Sequence, residues 1–185
     1  MSAKAKRAHS TLDRIRRSAE RAERTAAEDA LRRRPEGNFQ IAESYFVNAR
    51  RLRRFKQIGH TGQGLRLMYY TALEIYLKAF LRMNNVSSRE LATRELGHRY
   101  CCLLERAGKF GLALTDEDNG VLHALSYSDE RERIRYIETG MANWLDLDAL
   151  DRVCQSIRNI VFVRLRDAAL PVRLLAIEPL GEDES

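Results

Sequence analysis

The spacing of apolar positions divides the chain into helical segments, and no segment shows the sustained alternation that marks a strand. The clearest segment is Leu65 to Met83, LRLMYYTALEIYLKAFLRM. It is apolar around most of its circumference, as expected of a helix enclosed by other helices. Glu74 and Lys78 interrupt it, four residues apart with the acid first, which is the favourable order for a pair on one helix face. Asn38 to Ile58 predicts an earlier helix whose buried stripe is Ile41, Ala42, Tyr45, Phe46, Ala49, Leu52 and Phe55. A loop from Gly59 to Gly64 joins the two, and Asn84 with Asn85 stops the central helix.

Downstream, Ser87 or Ser88 caps a short helix over SSRELATREL, with Glu90 near the capping-box position. Gly97 ends it and His98 opens the next helix, GHRYCCLLERAGKFG, with Leu103 and Leu104 inward and Gly108 to Gly111 as its end. Thr115 caps DEDNGVLHALSYS, whose core side is Leu122 and Leu125. The charged stretch DERERIRYIETG follows, anchored by Ile134 and Ile137. The last long helix starts at Asp146 or Asp148 and runs through Ala169. Its apolar stripe is Leu147, Leu150, Val153, Cys154, Ile157, Ile160, Val161 and Leu165. Pro171 ends it, and the tail VRLLAIEPLGEDES forms one short strand or docks in extended form, its last five residues mobile. The expected fold is all-α: an antiparallel bundle of four to five core helices over residues 37–170. A basic arm over 1–36, helical or disordered, precedes it, and a C-terminal tail over 171–185 follows.

Charge changes this picture at one end only. Of the net +6, residues 1–36 carry +5, from eleven Lys and Arg against six acids. The remainder is close to neutral, which excludes a generally basic nucleic-acid-binding bundle. The arm has few large apolar residues (Leu12, Ile15 and Leu31) and no aromatic one. It is either a solvated tail or a basic arm for RNA, DNA or an acidic partner, and a nucleic acid would be touched at phosphate rather than by stacking. No run of eighteen apolar residues predicts a membrane span, and no apolar region follows the first charges as in a secretory signal. A cytoplasmic protein with no membrane contact is expected, with Cys101, Cys102 and Cys154 as reduced, buried core thiols.

Chemistry is sparse. His9, His60, His98 and His123 lack partners at metal-ligand spacing, so neither metal nor cofactor is expected. A cysteine nucleophile has no orienting third group. The residues left are Glu74, Lys78, His98, Arg133, Arg135 and Tyr136, which form either a network that orients helices or a polar ligand cleft. A bond from Glu74 to Arg135 or His98 would satisfy the buried acid. Arg50, Arg51, Arg53, Arg54 and Lys56 crowd the end of the first helix. They are either a solvated face that complements the helix dipole or a patch for phosphate.

The succession ALEIYLKAFL, then LGH leading into LLERAGKFGL, then RIRY after a short helix, resembles bacterial HEPN-like (higher eukaryote and prokaryote nucleotide-binding) proteins over roughly Asn38 to Ala169. The resemblance implies a bundle of four to five helices, commonly a homodimer. Many members are metal-independent ribonucleases, often toxins paired with a nucleotidyltransferase-like antitoxin. Their site is an arginine followed four to six residues later by a histidine, on a late core helix. In this chain Arg131, Arg133 and Arg135 occupy that region, and Tyr136 to Met141 supply no histidine. Arg54 and His60 have the spacing but run into a loop. The expectation is therefore a non-catalytic HEPN-like domain that binds a protein partner, nucleotide or nucleic acid through a polar cleft and the basic arm. The alternatives are a ribonuclease using Arg54 with His60 or Arg135 with His98, and a structural or adaptor homodimer.

Overall fold

The computed structural model describes residues 16, 18, 20, 21, 34–55, 61–93, 96–127, 144–177 and 179. By its contacts the chain forms two units, Met1–Arg34 and Pro35–Ser185. In the first, residues 16, 18, 20 and 21 are helical, with an exposed Arg16–Glu20 ion pair one turn apart at 2.9 Å. The second is an all-helical bundle. Its described helices are α1 (Pro35–Arg53), α2 (Thr61–Met83), α3 (Ser88–Leu91), α4 (Tyr100–Gly108), α5 (Asp116–Tyr127) and α6 (Leu147–Asp167). No strand occurs among the described residues, and of the tail, residues 171–177 and 179 form neither helix nor strand. None of these helices is long and apolar enough to cross a membrane.

Helix α1 begins at Pro35, earlier than the sequence pattern suggests. Proline loses nothing at the first helical position, where its missing N–H has no partner anyway, so Pro35 is suited to start this helix. Helix α2 likewise begins at Thr61, inside the expected glycine loop. Ser87 caps α3, its Oγ accepting from the Glu90 N–H at 3.1 Å, but the helix lasts only to Leu91. His98 does not open a helix: α4 starts two residues later, after Arg99. Thr115 Oγ1 and Asp146 Oδ2 accept from the N–H groups of Asp118 and Ala149, capping α5 and α6 at the expected places.

Three helices end by the same device. After α2, α4 and α6 the chain turns through a residue of positive φ: Asn85 at 63°, Gly111 at 81° and Ala169 at 55°. In each case the following N–H reaches back five residues: Val86 to the Leu81 carbonyl, Leu112 to Ala107 and Leu170 to Leu165, at 3.0–3.1 Å. That bond satisfies a carbonyl with no partner in the helix itself, and the apolar residue after the turn tucks against the core.

Helix α2 is the centre. It packs against α1, α4 and α6, and Leu65, Tyr69, Tyr70, Leu73, Tyr76, Leu77, Phe80 and Leu81 are buried around most of its circumference. Helix α1 meets it through Phe39, Ala42, Phe46, Val47 and Ala49. The stripe is thus rotated from the expected one. Tyr45, Leu52 and Phe55 lie outside it, Phe55 being 70% exposed, while Glu43 lies inside at 0%. Helix α6 contributes Leu150, Val153, Cys154, Ile157, Val161 and Leu165, and also buries Asp151 and Arg158.

Candidate functional site

Two sides of α2 carry polar groups into the bundle. Tyr69 and Tyr76, seven residues apart, share one side; Glu74 and Lys78 lie roughly 140–180° around the helix from them.

On the first side, Glu43 of α1 accepts four hydrogen bonds. The Tyr76 hydroxyl donates to Oε1 at 2.6 Å and Arg158 Nε to the same oxygen at 2.5 Å. Arg158 Nη2 donates to Oε2 at 2.8 Å and the Leu175 N–H at 2.7 Å. This uses all the lone-pair positions of a carboxylate. Arg158 Nη2 also donates to the Leu175 carbonyl at 2.7 Å, and Gln40 Nε2 to the Arg173 carbonyl at 2.9 Å. Side chains of α1 and α6 therefore hold the main chain of the tail. Closer to the end of α1, the Tyr69 hydroxyl donates to Asp151 at 2.8 Å, and Arg50 Nε faces the same carboxylate at 3.2 Å. Arg53 pairs with Asp148. Burial and the adjacent carboxylates push the phenols of Tyr69 and Tyr76 well above their ordinary range.

Two members of the expected phosphate patch are thus engaged by acids of α6, Arg50 by the buried Asp151 and Arg53 by the exposed Asp148. Arg51 is exposed, and with Arg50 and Arg54 it lines a shallow groove whose other residues are Val47 of α1 and Ala176 and Ile177 of the tail. Lys56 lies outside the described residues.

On the second side, Glu74 is nearly buried. Lys78 Nζ donates to its Oε1 and to the Gly97 carbonyl, both at 2.6 Å, and His98 Nδ1 lies 3.1 Å from the same Oε1. Burial lowers the pKa of the Lys78 ammonium. The His98 side chain is 65% exposed, so a buried acid holds an imidazole that faces outward. The bend over residues 96–98 makes this possible, because it brings both the Gly97 carbonyl and the His98 ring against α2. The structure therefore brings together Glu74, Lys78 and His98. Arg131, Arg133, Arg135, Tyr136 and His60 lie outside the described residues.

Cys101 and Cys102 differ from the sequence reading. Cys154 is fully buried, whereas Cys101 and Cys102, in the first turn of α4, are only partly covered. Among the described residues no group of three or more His, Cys, Asp or Glu is placed to hold a metal ion.

The Glu43–Arg158 and Arg50–Asp151 pairs are absent from the sequence reading. Their one signal is a charge recurring at helical spacing inside an apolar stripe, Glu43 between Ala42 and Phe46, and Arg158 beside Ile157. Comparison of the chain with family models, with curated proteins and with solved structures finds no match.

Proposed function

We propose that the chain is a non-catalytic HEPN-like helical domain, acting as a homodimer, that binds the phosphates of a nucleotide or nucleic acid at the arginine-lined end of α1. The observation that supports this reading is the shallow groove lined by Val47, Arg50, Arg51, Arg54, Ala176 and Ile177. The exposed Arg51 guanidinium is placed to give a charge-assisted, forked hydrogen bond to phosphate, and the apolar lining gives a sugar or base something to rest on. The basic arm adds a second, longer-range attraction for the same partner. A nucleotidyltransferase-like protein is the protein partner that the HEPN-like resemblance suggests.

Fluorescence anisotropy with a labelled RNA oligonucleotide and the full chain tests this reading. Binding is expected to weaken steeply with salt, and Arg51→Glu to weaken it at least fivefold and flatten the salt dependence by about one phosphate contact. An unchanged affinity in Arg51→Glu would place the phosphates elsewhere.

One observation favours a second reading, a metal-independent ribonuclease. A carboxylate holding His98 by Nδ1 leaves Nε2 as the basic nitrogen, the arrangement that orients a general base toward a 2′-hydroxyl. Cleavage of RNA by metal-free protein, lost in His98→Ala and reduced in Glu74→Gln with the helical content intact, would establish this reading. No cleavage by the wild type ends it.

A further inference from the structure

The tail lies on α1 in a definite direction. Gln40 Nε2 donates to the Arg173 carbonyl, Glu43 accepts from the Leu175 N–H, and Ala176 and Ile177 line the groove with Val47, Arg50, Arg51 and Arg54. Gln40, Glu43, Val47 and Arg50 follow one another at three- and four-residue steps, so they share one face of α1. The tail thus runs along that face toward the arginine-rich end of the helix, later tail residues meeting later residues of α1. It is fastened mainly through its backbone, since none of residues 171–177 is buried.

After Ile177 the sequence reads EPLGEDES, residues 178–185, with the acids Glu178, Glu182, Asp183 and Glu184 and no Lys or Arg. The helix end toward which it heads has the opposite charge, with Arg50, Arg51 and Arg53 in the last turn and Arg54 just beyond. Two of these already take carboxylates, Arg50 that of Asp151 and Arg53 that of Asp148, while Arg51 is exposed in the groove. Reach is sufficient: residues 178–185 extend to about 26 Å, and Val47 to Arg54 covers about 10 Å of helix axis.

We propose that residues 178–185 are an acidic strap that docks in this groove, with carboxylates on Arg51. The tail is already fastened at Leu175, three residues before Glu178, so the acids meet the guanidinium as a tethered ligand. Their effective concentration is on the order of millimolar, which lets weak surface ion pairs compete with a free anion. One consequence rests on the phosphate reading of the groove given above. Carboxylate and phosphate both match the fork of a guanidinium, so the strap and the phosphates of a ligand exclude one another at Arg51. The strap then acts as an inhibitor built into the chain, and a ligand binds by displacing it.

The experiment labels the arginines of the full chain with phenylglyoxal, read by mass spectrometry. Wild type is compared with a variant carrying Glu178→Gln, Glu182→Gln, Asp183→Asn and Glu184→Gln together. Arg51 is expected to react about threefold faster in the variant, and the difference to vanish at about 1 M salt, where the Debye length is about 3 Å. Arg89, exposed on α3 and outside the groove, should react alike in both chains. Titrated with a labelled RNA oligonucleotide, the variant should bind about fivefold more tightly than wild type. That gain should be lost in an Arg51→Glu background, where a mere change of net charge would preserve it. Equal labelling of Arg51 in the two chains would overturn the docking, and protection lost on dilution would assign it to the strap of a second copy instead. Protection of Arg51 with equal RNA affinities would overturn the competition. RNA binding by neither chain, with Arg51 still protected, would uphold the docking and end the phosphate reading.

Discussion

Glu43 is a charge completely enclosed by protein, and its place there depends on Arg158, 115 residues away. Removing one partner of such a pair strands the other. Arg158→Met is therefore expected to cost about 3–5 kcal/mol in urea unfolding, because the carboxylate stays buried without its counter-charge. The double variant Glu43→Leu with Arg158→Met removes both charges and should be more stable than Arg158→Met alone. A double variant equal to or worse than the single one would show that the Tyr76 and Leu175 donors matter more than the ion pair. The buried phenols give a second residue-level prediction. Tyr69, Tyr76 and Tyr100 have pKa values raised above 10.0 in the folded chain, by burial first and, for Tyr69 and Tyr76, by nearby carboxylates. Below pH 10 both folded and unfolded chains keep these protons; above it the unfolded chain loses them first. Their contribution to stability is thus complete below pH 10 and lost as pH rises, by about 1.4 kcal/mol per pH unit for each phenol. Lys78, whose pKa is lowered by burial, works the other way: its contribution is present above pH 10.5 and declines as pH falls through its folded value. Three phenols outweigh one amine, so unfolding midpoints measured between pH 10 and 11 should fall. The fall should be shallower by one proton in Tyr76→Phe.

At the scale of the element, helix ends rather than helix interiors offer the cleanest test. The left-handed positions after α2 and α4 carry Asn85 and Gly111, residues that tolerate positive φ, but α6 ends on Ala169 at φ 55°. Its methyl group meets the strain that glycine escapes. Ala169→Gly is expected to raise stability by about 0.5–1 kcal/mol, measured by thermal or urea unfolding. A destabilisation would mean that the added freedom of glycine in the unfolded chain wins. The same scale shows why the helices were legible and one face was not. Period and caps located α2, α5 and α6 because apolar spacing and the Thr115 and Asp146 side chains are local signals. Helix α1 was rotated because its inward face carries Glu43, and carries Arg50 close to it. A reading by hydropathy sends these outward and draws Tyr45, Leu52 and Phe55 inward in their place. The acids and tyrosines that make those charges tolerable lie on other helices, beyond any local window.

For the whole molecule, the all-helical class and the central place of α2 follow from composition and pattern alone. The Glu74–His98 bond is legible as one of two partners that a buried acid requires. The clamp on the tail is not, because Gln40, Glu43 and Arg158 grip backbone atoms of Arg173 and Leu175, and main-chain groups leave no trace in sequence. Truncation after Leu170 would remove Val172 and Ile177 from the edge of the core and open Glu43 and Arg158 to water. The truncated chain should keep its helical circular dichroism and unfold at lower urea concentration. Unchanged stability would show that the tail adds nothing to the bundle.

That clamp also sets an order of events. Glu43 lies on the first helix of the bundle, and its fourth hydrogen bond comes from Leu175, 132 residues later. A ribosome delivers the chain from the N-terminus, so Glu43 emerges from its exit tunnel well before Leu175 does. While α1 and α2 are already free to pair, the acid between them waits for a donor still out of reach. Only when Leu175 emerges is the acid fully bonded, and a nascent chain interrupted before it carries an unfinished acid.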